Sequence, residues 1–100
     1  MTNIFDSLKQ LSQVKHQAAK FQKILADKII DVSSPGNEIK LKVNGKMEIL
    51  KIEISPEILK PEKKEEIEKL FLKTWALAKK EIEKVIASEL KSQLGGDFPL

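Results

Sequence analysis

The sequence predicts an α+β fold: a long N-terminal helix, a three-stranded antiparallel meander and a long C-terminal helix, over a chain of 100 residues. The prediction rests on how the apolar spacing changes along the chain. From Ile4 to Ile29 apolar residues recur every three or four positions, which is helical spacing. Between residues 39 and 54 the spacing drops to two, in IKLKV and LKIEI, the period of half-buried strands. From Pro61 onward the helical spacing returns and holds to Leu94.

Residues 1–30 form the first helical segment. Ile4, Leu8, Leu11, Val14, Ala18, Phe21, Leu25 and Ile29 share one face, and no glycine or proline interrupts residues 1–34. A helix of about 27 residues is about 40 Å long. That is longer than a small sheet, so part of it must project or meet another chain. Lys9, His16, Lys20 and Lys23 lie opposite the apolar row, with Ser12 and Gln13 beside them; Asp27 closes the same face and dilutes its charge.

Residues 31–54 hold the strands. IIDVS, just before a turn, is rich in β-branched residues and suits a short first strand. SSPGN is turn chemistry, with the fixed φ of Pro35 and the tolerance of Gly36 for positive φ. Ile39, Leu41 and Val43 then alternate with Lys40 and Lys42. Asn44-Gly45 is a hairpin signal, with Gly45 supplying positive φ. A two-residue loop there would pair Val43 with Lys46 and Leu41 with Glu48, setting apolar against charged side chains. Pairing Leu41 with Leu50 and Ile39 with Ile52 requires extra residues, so a longer turn or a bulge is expected between Asn44 and Leu50.

Residues 56–94 read as helical. Ser55-Pro56-Glu57 resembles an N-cap followed by proline, Pro61 restarts the main helix, and Glu62, Glu65 and Glu66 suit its positive end. The helix is expected to end near Gln93 at Gly95-Gly96, leaving residues 95–100 as a loose tail. The whole of 1–100 is one domain.

This second helix has two apolar rows. Ile67, Leu70, Phe71, Thr74, Leu77, Ala78, Ile82 and Val85 form one; Leu72, Ala76, Ile86, Leu90 and Leu94 form another, with Trp75 between. So wide an apolar surface asks for two neighbours: its own sheet and, most simply, a second copy. Leu72, Trp75, Ile86 and Leu90 are the candidate dimer contacts. The expected assembly is an intertwined or side-by-side homodimer with projecting helices. The remaining face carries Lys69, Lys73, Lys80, Lys84 and Lys91, within about 60° of one another on an ideal helix. Such a stripe suits a phosphate backbone. The plainer reading is a solvated face in a lysine-rich chain.

All 18 basic residues are lysines, against 15 acids, for a net charge of +3. Residues 1–30 hold five lysines and two aspartates, 31–61 balance, and 62–94 hold eight lysines and seven glutamates. The bias toward anionic partners is mild. Cysteine is absent, no stretch spans a bilayer, and the N-terminus lacks a secretory pattern. The reading is a soluble cytoplasmic protein without a membrane partner. Catalysis finds no support: one histidine, no tyrosine, no cysteine and no glycine-rich phosphate loop. His16 reads as a surface residue, and the glutamates as exposed helix charge. No enzyme activity, cofactor, metal or small-molecule substrate is expected.

The order helix, meander, helix, together with Leu41-Lys42-Val43-Asn44-Gly45 and Ile52-Glu53-Ile54-Ser55-Pro56-Glu57-Ile58-Leu59, resembles the YbaB/EbfC family of bacterial nucleoid-associated proteins. The resemblance runs on through an amphipathic helix to the tail LGGDFPL. It implies a homodimer with projecting helices that binds double-stranded DNA in the nucleoid and organises it or influences expression. The first helix shares only its glutamines (Gln10, Gln13, Gln17, Gln22) with the family's Met- and Gln-rich start, so no DNA-contact residue is carried over by position. The candidates are therefore the lysines read from the helical faces: Lys9, Lys20, Lys23, Lys69, Lys73, Lys80, Lys84 and Lys91. Base reading should be weak, because arginine, the commonest reader of guanine, is missing. The rival expectation is a homodimeric protein-interaction adaptor whose lysines serve solubility. Lysine stripes aligned into one surface favour DNA; opposed stripes beside an open apolar groove favour the adaptor.

Overall fold

The structure, a computed structural model, describes residues 4–94. Helix α1 runs Ile4–Ala26, strands β1, β2 and β3 run Ile29–Ser33, Ile39–Asn44 and Ile49–Ile54, and helix α2 runs Lys64–Gln93. The strands form one antiparallel sheet in the order β1-β2-β3. Short 3-10 turns at Pro35–Asn37, Pro56–Ile58 and Pro61–Lys63 each begin at a proline, whose fixed φ suits a first turn.

The core lies between the sheet and α2. On β2 the side chains alternate as the sequence requires: Ile39, Leu41 and Val43 are buried while Lys40 and Lys42 face outward. Thr74, Ala78 and Ile82, four residues apart on α2, meet them. Two of these three are small, which lets the helix axis approach the sheet closely. The Thr74 hydroxyl donates to the Leu70 carbonyl at 2.7 Å, so no polar group is stranded there. Ile39, Leu41, Val43 and Ile82 are all but fully enclosed. Each contributes roughly 1.5–3 kcal/mol by leaving water.

Several expectations are corrected by this packing. Leu77 falls outside the core, while Trp75 and Ile86 pack against the buried cluster. The helix has turned its Thr74-Ala78-Ile82 ridge to the sheet, and that rotation carries Ile86 inward and Leu77 outward. Ser55 makes no capping bond through its side chain; its N–H donates to the Glu38 carbonyl at 2.8 Å and so closes the sheet end. The first helix stops at Ala26, and Ile29 begins a strand.

The meander has both a longer turn and a bulge. Asn44 Oδ1 accepts the N–H groups of Lys46 and Glu48 at 3.0 and 3.1 Å, and its Nδ2 donates to Glu48 Oε1 at 2.8 Å. This side-chain scaffold holds residues 44–48 as the loop, with Val43 opposite Ile49. Lys42 is opposite Lys51, so Leu50 is the extra residue. Leu41 consequently pairs with Ile52 and Ile39 with Ile54, two positions beyond the expected partners. The shift of two preserves which face each side chain takes.

Positive φ sits at Met47 in this loop and at Gly36 and Asn37 in the preceding turn, not at Gly45. Gly45 is required for a different reason. Its N–H donates to the Leu25 carbonyl at 2.9 Å and to the Lys28 carbonyl at 3.2 Å. A Cβ added there would stand 2.8 Å from the Leu25 carbonyl oxygen. The hairpin thus seats directly on the C-terminal end of α1.

Beyond that seat α1 leaves the fold. The molecule measures 69 × 27 × 19 Å, with a radius of gyration of 19.5 Å, where a compact chain of this length has about 13 Å. Only Phe21, Ile24, Leu25 and Ala26 of α1 are even partly covered; Ile4, Leu8, Leu11 and Val14 are exposed. Among the described residues no helix is long and apolar enough to cross a membrane.

Candidate nucleic-acid interface

The candidate lysines occupy two helices of different charge. On α1, Lys9, Lys20 and Lys23 are exposed on the side away from Leu8, Leu11, Ala18 and Leu25. Residues 7–26 contain Lys9, Lys15, His16, Lys20 and Lys23 and no acid at all. Ser12, Gln13, His16 and Gln17 line an open hollow of about 500 Å³ on the same helix. Asp27, which the helical spacing placed on this face, lies past the end of α1, in the turn where its N–H donates to the Lys23 carbonyl at 3.1 Å. The dilution it suggested does not extend along the helix.

On α2, Lys69, Lys73, Lys80, Lys84 and Lys91 are all exposed, on the face opposite Thr74, Ala78 and Ile82. From first to last they cover about 33 Å of helix. Their surroundings are mixed. Lys84 Nζ lies 3.3 Å from Glu81 Oε1. Lys69 and Lys73 share a hollow with Glu62, Glu65 and Glu66. Lys64 meets Glu68 at 3.3 Å and Lys63 meets Glu66 at 3.6 Å, near the start of the helix. Exposed pairs of this kind add little stability, but each carboxylate lowers the local positive potential. The clean run on α1 was visible in the residue order as a stretch without Asp or Glu; helical-wheel reasoning missed it by extending the helix to Asp27.

The candidate dimer contacts divide. Leu72 and Leu90 are exposed, while Trp75 and Ile86 are partly covered by the chain's own core. Another apolar surface stands open that was not singled out from spacing: α2 lies across β1 and β2, leaving β3 at the edge with Ile49, Leu50 and Ile52 exposed.

The outer face of the sheet is polar and nearly balanced. Asp31, Lys40, Lys42, Lys51 and Glu53 surround a shallow hollow of about 140 Å³. Lys51 Nζ and Glu53 Oε1 are 2.8 Å apart. Their hydrogen bond, and then their mutual attraction, raises the Lys51 pKa and lowers that of Glu53. Among the described residues no group of three His, Asp or Glu side chains could hold a metal ion.

The sequence model of the YbaB/EbfC DNA-binding family matches residues 1–97. A nucleoid-associated protein of Thermoanaerobacter pseudethanolicus is 32% identical over 94 residues, which are 94% of this chain and 85% of that protein. One from Clostridium kluyveri is 35% identical over 94 residues, covering 94% of this chain and 82% of the relative. In structure, the chain is similar to an uncharacterised protein of Helicobacter pylori solved by crystallography, with a TM-score of 0.73 at 18% identity over 94% of this chain and 99% of the other.

Proposed function

Since this chain belongs to the YbaB/EbfC DNA-binding family, we propose that it is a homodimer that binds double-stranded DNA in the nucleoid, organising it or influencing expression. The observation that carries the reading is the acid-free lysine face of residues 7–26, on a helix that stands clear of its own core. A projecting helix with Lys9, Lys20 and Lys23 on one side and an apolar row, interrupted by Lys15, on the other offers the first to phosphates and the second to a partner chain. The uncovered row Ile4, Leu8, Leu11 and Val14 and the open edge at Ile49 and Ile52 support a second copy as that partner. The α2 stripe, Lys69, Lys73, Lys80, Lys84 and Lys91, adds a second and weaker set of phosphate contacts.

Lysine acts as a point charge and carries no bidentate code for base edges. Affinity should therefore depend strongly on salt and little on sequence. Residues with readers' side chains, Gln13 and Gln17, leave room for a mild preference. The test is a titration of unrelated duplexes at low and at moderate salt, with the mass of the free protein measured by sedimentation equilibrium. Twice the chain mass and a shared, steep salt dependence are expected. A compact monomer overturns the dimer, and lack of binding at low salt overturns the DNA reading in favour of the adaptor.

A further inference from the structure

A hollow of about 330 Å³ between α2 and the turn that joins β1 to β2 is lined by Pro35, Lys73, Ala76, Leu77 and Lys80. Its floor is apolar, and Leu77 is 42% exposed within it. Its rim is cationic: Lys73 and Lys80 are two helical turns apart, about 10.5 Å along the axis, on the same side. No acid lines it, although Lys73 also borders the neighbouring hollow, where Glu62, Glu65 and Glu66 lie with Lys69. One wall is fixed rather than adventitious. Pro35 opens a 3-10 turn pinned by Ser34, whose N–H donates to the Ile39 carbonyl at 2.8 Å and whose Oγ accepts the Ile39 N–H at 3.0 Å.

Phosphate contact accounts for the two lysines but leaves the floor without a use, since a duplex backbone offers charge and little else. A solvated face accounts for the lysines equally well and also leaves the floor idle. We propose that this hollow docks an acidic protein segment bearing one bulky apolar side chain. The side chain rests on Pro35, Ala76 and Leu77, and flanking carboxylates meet Lys73 and Lys80. The lysine stems extend the apolar wall while their ammonium groups take the charge. The docking stands independently of DNA. Its consequence rests on the DNA reading: because Lys73 and Lys80 belong to the α2 stripe, the segment and a duplex compete for them.

The probe is a short labelled peptide of glutamates around one phenylalanine, compared with the same peptide carrying serine at that place. Fluorescence anisotropy with the full chain at low salt should show the phenylalanine peptide binding about tenfold tighter, a difference of about 1.4 kcal/mol. Leu77→Gln, at an exposed helical position, should abolish that difference and leave the serine peptide unchanged. Lys73→Gln with Lys80→Gln should weaken both peptides. In competition, the phenylalanine peptide should release bound duplex at lower concentration than the serine peptide. Equal affinity of the two peptides, or a difference that survives Leu77→Gln, overturns the proposal. So does a fall in oligomeric mass on Leu77→Gln, which would give the hollow to a second copy. If the protein binds no duplex, the DNA reading fails while the peptide comparison still decides the docking.

Discussion

Helix α1 and helix α2 solve opposite problems with similar residues. α2 buries a ridge of Thr74, Ala78 and Ile82 against the sheet, so its lysines are forced to the far side and its glutamates spread around the rest. α1 touches its own fold only near its C-terminal end, from Phe21 onward, where Leu25 meets Gly45. From Ile4 to Ala18 its apolar row has no cover within the chain, and its polar face carries lysines without acids between Ser7 and Ala26. The difference shows what a helix can be kept for. α2 is held by packing, and the charge of its lysines is largely offset by its own glutamates. α1 contributes little to the fold of one chain and is free to meet a partner on one side and a polyanion on the other.

The anchoring of α2 gives the largest expected effect. Ile82→Ala removes a fully enclosed side chain from between helix and sheet, and should cost about 2–5 kcal/mol in urea unfolding. Leu11→Ala on α1, with half of Leu11 exposed, should cost far less in one chain but raise the dissociation constant of the proposed dimer. If Leu11→Ala destabilised as much as Ile82→Ala under conditions that keep the chain monomeric, α1 would be a core element and the comparison would fall.

Next is the seat of α1. Gly45→Val drives a branched side chain against the Leu25 backbone, and neither side is a flexible side-chain end. A loss of about 1–3 kcal/mol is expected from such overpacking. Gly36→Ala separates the two reasons for glycine, since Gly36 has φ of 85° and its added Cβ would stand 3.3 Å from a Glu38 carboxylate oxygen. Its cost should be about 1 kcal/mol, from backbone strain. A cost at Gly45 no larger than that at Gly36 would mean the hairpin is not tightly seated on α1.

The contrast between these glycines marks how far the sequence could be read. Local patterns were legible because their causes are local. Ile39, Leu41 and Val43 alternate with lysines, and Pro35-Gly36 turns the chain where both residue types allow it. Gly45 was legible as glycine but not for its reason, because the atom that excludes a side chain belongs to Leu25, twenty positions earlier. The register of β3 depended on the Asn44 amide gathering the N–H groups of Lys46 and Glu48, which spacing alone does not reveal. On α2 the wide apolar face left the rotation open. The small pair Thr74 and Ala78 fixed it, turning Ile86 in and Leu77 out. At the candidate interface the lysines and the acid-free run 7–26 are both legible in the residue order, whereas how far each helix stands clear of the fold depends on which of them the sheet packs against.

Charge removal tests that difference in quality. Lys9, Lys20 and Lys23 together replaced by glutamine should make the slope of log affinity against log salt shallower by about 0.9 for each phosphate no longer neutralised. Lys73, Lys80 and Lys84 replaced together should change it less, because Lys84 already sits beside Glu81 and Lys73 shares its hollow with Glu65 and Glu66. Both triple variants should weaken binding to all duplexes alike, as phosphate contacts carry no sequence information. A larger change from the α2 triple would reverse the ranking of the helices.

The smallest effect is expected from the sheet. Lys40, Lys42 and Lys51 lie on its outer face with Asp31 and Glu53, so the patch carries a net charge of only +1. Lys51 and Glu53, 2.8 Å apart, hold each other in the charged state: the pKa of Lys51 is raised and that of Glu53 lowered by their pairing. The carboxylate beside Lys51 lowers the local positive potential that a phosphate would meet. Replacing Lys40, Lys42 and Lys51 by glutamine removes the same formal charge as either helical triple and should leave the salt slope nearly unchanged. Folding should also change little, because Lys42 and Lys51 face each other across the ladder and their mutual repulsion is relieved as the ion pair with Glu53 is broken. Thermal unfolding of the variant beside the parent checks that part. The binding measurement decides more. If the sheet triple lowers affinity and slope as much as the α1 triple, net charge alone governs binding, and the projecting helix has no special standing. If the slope holds for the sheet and falls for α1, the duplex follows the helix that its own fold leaves uncovered.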